Sequence, residues 1–370
     1  MSKNKKIKPG TPPVFLVNMI MAFTNFLKNL RLKILPPEIV MSEYIIEYLV
    51  TQRLIFAVTE FWIPNLLEEG PKSVEQLAKE SGTNSEALYR VMRALTGVGV
   101  FKEQKGKIFE NTRLSSCLRS GDKGTMSALA KYAGSTWIVK EWADLLESVE
   151  KGIDIYQLKY GETYFQWLEK NPEEHRTFDE AMVNLSNLSN APIAAVYKFS
   201  HYNSIVDIGG GLGPQLAVIL KAYPHLKGTL FDIPRVINAA QKEETLNNEF
   251  LKDRVEFVSG DFFEGVPEGK DIYFMKSILH DWMDYEAVKI LESCRKAMHK
   301  NSRLLVADMV IKNDNKPHFG KLMDNGMLVL LGGRERTTEE FAAIFKQAGF
   351  KLNRVIPTIS PYSLVEGIPV

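Results

Sequence analysis

Cysteine is scarce in this 370-residue chain, with only Cys117 and Cys294 present. Two cysteines build no disulfide framework, and neither sits at a metal-ligand spacing, so no metal site and a reducing, cytoplasmic compartment are expected. Net charge is nearly absent as well. Lys and Arg total 46 against 45 Asp and Glu, a formal +1, which excludes bulk electrostatic attraction as the basis of nucleic-acid binding. Long apolar runs are missing too. The stretch Val14 to Phe23 is too short to span a bilayer. It follows a basic start, as in a signal peptide, but no small-x-small cleavage site comes after it. What remains is ordinary globular composition, 45% hydrophobic and 25% charged, long enough for two domains and a sizeable core.

The charge that exists is uneven. Residues 1–37 carry Lys3, Lys5, Lys6, Lys8, Lys28, Arg31 and Lys33 and no acid; this formal +7 within a +1 chain leaves −6 for the remainder. A helical arm packed on a partner subunit is expected there, with a membrane-surface helix as the alternative. Residues 38–131 read mostly helical. Ser73 is placed as a helix cap with Gln76 at the capping-box position, Ser85 caps a second helix, and a hairpin turns at Lys105-Gly106. Helix, turn, helix and hairpin make a winged-helix pattern. Its second helix offers only Arg90 and Arg93 as bases, beside an apolar stripe of Ala87, Leu88, Val91, Met92 and Leu95. That stripe points to a dimerisation module and a homodimer rather than to DNA. Residues 132–200 form a further helical segment rich in aromatics and methionines.

From residue 201 to 370, strands and helices alternate, which implies α/β architecture with a doubly wound, mostly parallel sheet. The organising stretch is Ser204-Ile-Val-Asp207-Ile-Gly209-Gly-Gly211-Leu-Gly213, a β-branched strand running into a glycine turn and then a helix. Such a turn leaves room for a ligand against bare peptide groups and the helix N-terminus. The dinucleotide pattern G-x-G-x-x-G is not met, because Pro214 or Leu216 stands at the third small position. The acid Asp207 would repel a pyrophosphate but accept from an ammonium, which favours S-adenosylmethionine over a nicotinamide cofactor. Asp232 ends the second strand about 20 residues on, the distance at which a carboxylate reaches a ribose. Asp261-Phe262-Phe263 follows the third strand, Lys276 ends the fourth, His280-Asp281-Trp282 comes next, Asp284 is placed as a helix cap, and Asp308 ends the fifth.

In these blocks, together with Gly332-Gly-Arg-Glu335-Arg-Thr-Thr-Glu-Glu-Phe341 and Gln347-Ala-Gly-Phe350, the chain resembles the plant-type class of S-adenosylmethionine-dependent O-methyltransferases over about residues 38 to 370. The resemblance implies a Rossmann-like methyltransferase domain behind a winged-helix-like dimerisation domain. It also implies roles. Gly209 and Gly211 would back the cofactor's aminoacyl part, Asp232 would hold the ribose and Ile233 would flank the adenine. Asp261 and Phe262 would bind the adenine, while Lys276 and Ser186 would meet the aminoacyl end. His280 would be the general base, oriented by Asp308 and Glu335; at Asp308 the plant members usually carry glutamate. With an ordinary histidine pKa of about 6.5, the pH profile would rise through that range. Trp137, Phe165, Phe178, Met182, Asp281, Trp282, Asn325 and Met327 are the candidate acceptor-pocket residues, suited to a flat aromatic or polyketide-like hydroxyl compound. Methylation of carbon or nitrogen, and a non-catalytic cofactor-binding regulator, stay open as alternatives.

Overall fold

A computed structural model describes residues 14–121 and 125–370; the first four lysines of the basic arm lie outside them. The described chain opens with two long helices, α1 (Val14–Ile34) and α2 (Pro37–Glu60). A small module follows: α3 (Val74–Ser81), α4 (Ser85–Gly97), β1 (Phe101–Gln104) and β2 (Ile108–Asn111), with the short strand Lys72–Ser73 paired to β2. Ser73 closes the expected capping box, since its hydroxyl accepts from Gln76 N–H at 3.3 Å and Gln76 Oε1 accepts from Ser73 N–H at 2.9 Å. The cap of α4 is Asn84 rather than Ser85. Asn84 has the extended backbone a cap needs, and its Oδ1 accepts from Ala87 N–H at 3.0 Å, which leaves Ser85 inside the helix. Leu88, Met92 and Leu95 of α4 face a core with Val58, Leu77, Phe101 and Phe109, whereas Ala87 is exposed.

Short helices fill residues 127–170, among them α5 (Ser127–Gly134), and lead into the 25-residue α6 (Pro172–Val196). The sheet then begins. Its strands are β3 (Ser204–Ile208), β4 (Lys227–Asp232), β5 (Val255–Ser259), β6 (Ile272–Lys276), β7 (Arg303–Asp308), β8 (Phe350–Pro357) and β9 (Ser363–Pro369). Their spatial order is β5-β4-β3-β6-β7-β9-β8. The first five are parallel; β9 runs antiparallel to both β7 and β8. β3, β6 and β7 are almost wholly buried, as strands covered on both faces must be. One core face gathers Ile193, Phe199, Leu216, Leu230 and Phe274. The other gathers Val206, Tyr273, Ile290, Phe341 and Phe345. The helices α7 (Pro214–Ala222), α8 (Asp284–Ala297) and α9 (Thr338–Gln347) supply part of this cover.

Two further points depart from the sequence reading. The terminal hairpin of β8 and β9 was not anticipated. Asp284 does not cap α8: it is the first helical residue, and its Oδ1 accepts from the guanidinium of Arg336 at 2.9 Å, because that buried cation requires a carboxylate. Strand order reverses between β3 and β6, so the carboxyl ends of these strands open the crevice where ligands bind in such sheets.

Gly213, with φ +79°, turns the chain from that crevice into α7, and a Cβ there would lie 2.2 Å from Leu246. Gly213→Ala should therefore lower unfolding free energy by about 1–3 kcal/mol, measured by urea denaturation.

Candidate active site

The crevice floor is the glycine turn. Gly209 (φ +65°) lies under Ile278, whose Cδ1 would be 2.4 Å from a Cβ at this position, and near the Phe262 ring; a Cβ on Gly211 would meet open space. Asp207 is buried beneath the turn. Its Oδ2 has no hydrogen-bond partner, and burial pushes its carboxyl up to about 7 despite the pull of Lys276. An orphaned buried carboxylate oxygen fits an incoming ammonium. The Asp232 carboxylate accepts from Gly211 N–H at 2.9 Å and from Ile233 N–H at 2.8 Å. Two backbone donors hold it at the mouth of the crevice beside the half-exposed Ile233. Asp261 is exposed next to Phe262, whose ring meets Phe263 edge-on at 5.0 Å. Lys276 crosses to α6, where its ammonium donates to the Ser186 hydroxyl at 2.8 Å, the Ser186 carbonyl at 3.1 Å and Asn190 Oδ1 at 2.5 Å. Burial pushes this lysine down to about 7.

The second group lies beyond β6. His280 sits in a single 3-10 turn, Leu279–Asp281. Its Nδ1 is 3.0 Å from Glu335 Oε1 and its Nε2 is 3.3 Å from Asp281 Oδ1. Glu335 arrives because residues 332–337 lie directly on this turn. A Cβ at Gly333 would be 2.1 Å from the His280 carbonyl oxygen, and that same oxygen accepts from Arg334 N–H at 2.8 Å. Asp308 Oδ1 accepts from Ser277 N–H at 3.1 Å, while Asp308 Oδ2 and Glu335 Oε2 are buried without partners. Burial alone would lower the pKa of His280, but the carboxylates of Asp281, Glu335 and Asp308 outweigh it and raise it to about 10. Burial in turn pushes Asp281 up to about 6 and Asp308 up to about 7. The expectation of an ordinary histidine titration near 6.5 is thereby overturned: a buried imidazole among three carboxylates holds its proton far longer.

The third group is aromatic. Trp137 stacks on Trp167 at 5.5 Å and on Tyr164 at 6.2 Å. Phe178 meets Tyr132 and Tyr164 edge-on, and Phe165 packs against it. Phe178, Met182, Ser186 and Asn190 recur every four residues along one face of α6. One helix thus joins the aromatic cluster to the lysine at the cofactor crevice, with Phe178 and Ser186 about 12 Å apart along it.

Not every candidate joins these groups. Trp282 packs on Phe263 at 4.9 Å and on Phe262 at 6.1 Å rather than joining Trp137. Asn325 is exposed, and its amide donates back to the Lys321 carbonyl. Met327 is buried and begins a π-helical turn, Met327–Leu331. Sequence reasoning missed Arg336, fully buried, which donates to the carbonyls of Leu279 at 2.6 Å and Trp282 at 2.7 Å and so clasps the His280 turn. It also missed Asp324, whose Oδ1 takes Glu335 N–H at 2.8 Å. The only sequence signal for Arg336 was an arginine beside Glu335, with no hint of its distant partners.

A glycine turn, two strand-end acids and a strand-end lysine at the switch point are the features of a group-transfer enzyme of the S-adenosylmethionine class. Comparison with known proteins agrees. The O-methyltransferase domain model matches residues 142–351 and the O-methyltransferase dimerisation domain model matches residues 43–121. This chain belongs to the O-methyltransferase family. A phenazine O-methyltransferase of Lysobacter antibioticus is 38% identical over 343 residues, covering 93% of this chain and 99% of that one. An 8-amino-8-demethylriboflavin N,N-dimethyltransferase of Streptomyces davaonensis is 32% identical over 317 residues, covering 85% and 90%. The crystal structure of human N-acetylserotonin methyltransferase in complex with S-adenosylmethionine superposes with a TM-score of 0.81 at 25% identity, covering 90% of this chain and 98% of that one. The enzyme is an S-adenosylmethionine-dependent methyltransferase.

Asp232→Ala removes charge-assisted hydrogen bonds worth about 1.5–3 kcal/mol each. The dissociation constant for S-adenosylhomocysteine should rise by roughly 10- to 150-fold per bond lost, read by calorimetry, with NAD binding neither protein.

Proposed function

We propose that this enzyme transfers a methyl group to a hydroxyl of a flat, aromatic or polyketide-like small molecule, with His280 as general base. The observation that carries this reading is the clamped imidazole. Glu335 on Nδ1 fixes the ring so that Nε2 is the nitrogen left to take a proton. When bound, S-adenosylmethionine supplies an electrophilic methyl on a sulfonium, which departs as a neutral thioether. The chain's part is to hold and deprotonate the acceptor. Asp281 Oδ1 stands near Nε2, where the acceptor hydroxyl must come, so Asp281 yields its place or shares the proton. The raised pKa of His280 is close to the ~10 of a phenol, so proton transfer between them is nearly balanced. Trp137, Phe165 and Phe178 offer ring faces and edges for a planar acceptor, with the flexible thioether of Met182 beside them. Asp207, Gly209, Gly211, Asp232, Ile233, Asp261, Phe262, Lys276 and Ser186 are assigned to the cofactor, Asp308 to support of the base.

The phenazine relative supports a fused aromatic acceptor, and the riboflavin relative keeps nitrogen as a second reading. The direct test incubates the protein with methyl-labelled S-adenosylmethionine and hydroxylated or aminated phenazines and naphthoates. Methyl ethers as the labelled products support oxygen transfer; labelled N-methyl amines alone would move the reading to nitrogen.

A homodimer is the second part of the proposal, with residues 38–131 as its module, 132–200 as the acceptor-pocket segment and 201–370 as the cofactor domain. The support is apolar exposure on α1 and on the first half of α2. Phe23, Phe26, Ile45 and Tyr48 are each about 60% exposed. Met21 and Leu32 on the opposite side of α1 are exposed as well, a pattern that a surrounding partner covers better than a flat membrane. No helix among the described residues is long and apolar enough to cross a membrane. Arg93 lies over the Tyr89 ring within its own domain, which supports protein rather than nucleic acid as the partner. The two unpaired cysteines suit the cytoplasm.

Outcomes are expected for the base and for the assembly. His280→Ala should leave S-adenosylhomocysteine affinity nearly unchanged and lower turnover by roughly 10²–10⁴-fold. Wild-type kcat/KM should keep rising above neutral pH toward about 10, since the base form appears only as His280 loses its proton, and Asp308→Asn should move that limb to lower pH. In the ultracentrifuge the full chain should sediment as a dimer at micromolar concentration, and removal of residues 1–37 should weaken that dimer. A monomeric full chain, or binding to anionic vesicles that disappears with the arm, would count against this assembly.

A further inference from the structure

Of the three non-glycine residues with positive φ among the described residues, Ser277 (φ +55°) is the one at the site. The left-handed conformation disfavours an L side chain and persists where the surroundings impose it. Here it is the pivot of the two functional groups. Lys276, directly before it, reaches Ser186 and Asn190. Ile278, directly after it, presses on Gly209. His280 lies one turn further on. A change at Ser277 would re-aim all three.

Tyr362 is what the surroundings supply. It stands in the connection between β8 and β9 and is buried, with 7% of its surface exposed. Its hydroxyl is 3.1 Å from the Ser277 hydroxyl. Its ring lies under the Lys276 ammonium, 5.6 Å from the centroid. The next residue, Ser363, pairs with Asp308 across β7 and β9, and Asp308 Oδ1 takes Ser277 N–H. The Tyr362 carbonyl accepts from the Thr358 hydroxyl at 2.7 Å, which fixes the connection from the other side. Burial keeps the phenol in its protonated form, and the charges of Glu335, Asp308 and Asp281 act in the same direction.

We propose that Tyr362 and Ser277 are positioning residues for methyl transfer. Their hydroxyl contact holds the left-handed turn after β6, which fixes the angle between the cofactor-side Lys276 and the acceptor-side His280. Neither touches the reacting atoms. The inference rests on the places given above to Lys276 and His280.

The test is a double-mutant cycle read by two acceptor-free measurements: S-adenosylhomocysteine affinity by calorimetry and the His280 titration midpoint by NMR. Tyr362→Phe removes one hydroxyl and should weaken affinity by about tenfold, the size of one lost hydrogen bond, and displace the midpoint. Glycine takes positive φ without strain, so Ser277→Gly should remove the need for the contact, and Tyr362→Phe in that background should change neither reading. Ser277→Val, β-branched and hostile to this conformation, should reproduce the loss even if Tyr362→Phe fails to fold. Equal effects of Tyr362→Phe in both backgrounds, or no effect in either with Ser277→Val also silent, would overturn the proposal. Lys276→Met separates the two levels: if it leaves the affinity unchanged, the place given to Lys276 is what fails.

Discussion

Two backbones touch at Gly333, and the chemistry of this protein depends on that contact. No side chain fits between the 332–337 segment and the His280 turn, where a Cβ would stand 2.1 Å from a carbonyl oxygen. The approach lets Arg334 N–H reach the His280 carbonyl, and it carries the next two residues to their places. Glu335 is set against the imidazole, and Arg336 enters the core to grip the carbonyls on either side of His280. Gly333 thus does for the His280 turn what Gly209 does for Ile278: it admits a neighbour by having nothing in the way.

The acid and base groups are expensive to bury. Asp207, Asp308 and Glu335 each keep a carboxylate oxygen without a partner, all near the carboxyl ends of β3, β6 and β7 or the loop that covers them. Arg336 favours the Asp308 carboxylate by its charge but gives none of these oxygens a hydrogen bond, its donors going to Asp284, Leu279 and Trp282. The result is an acid-rich corner whose buried carboxylates surround the His280 imidazole and the Lys276 ammonium. Its strain in the free protein is of the kind that ligands relieve.

Much of this was legible in the sequence, and the reasons differ by residue. Strands β3, β6 and β7 showed themselves because buried parallel strands read as apolar runs with a polar residue at or near the end, whereas β5 did so by alternating apolar and polar residues. Ser73 and Gln76 announced a helix start by local chemistry alone. Asn84 and Ser85 are both good caps, so the boundary slipped by one residue. Strand β8 did not show itself because its lysine, asparagine and arginine interrupt the pattern at an exposed sheet edge. Asp284 looked like a cap, and only the arrival of Arg336 from 52 positions away gave it another partner. Glu335 and Asp308 came through resemblance, and their electrostatic weight on His280 needed the folded distances. Trp282 carried an aromatic label with no direction, and the fold sent it toward Phe263.

The order of the sheet has a consequence for how the protein is made. β9 comes last among the strands, yet it lies inside the sheet, between β7 and β8. Until residues 363–369 insert, β7 has an open edge and Asp308 lacks the neighbour that frames it. Such pairings close large loops and form late. During synthesis at about 5–20 residues per second, the N-terminal module and the glycine turn emerge well before the acid corner has its wall. The corner around Asp308 is therefore walled only once residues 363–369 are in place, so a chain cut before them keeps the glycine turn in its sequence but loses the frame of its acids.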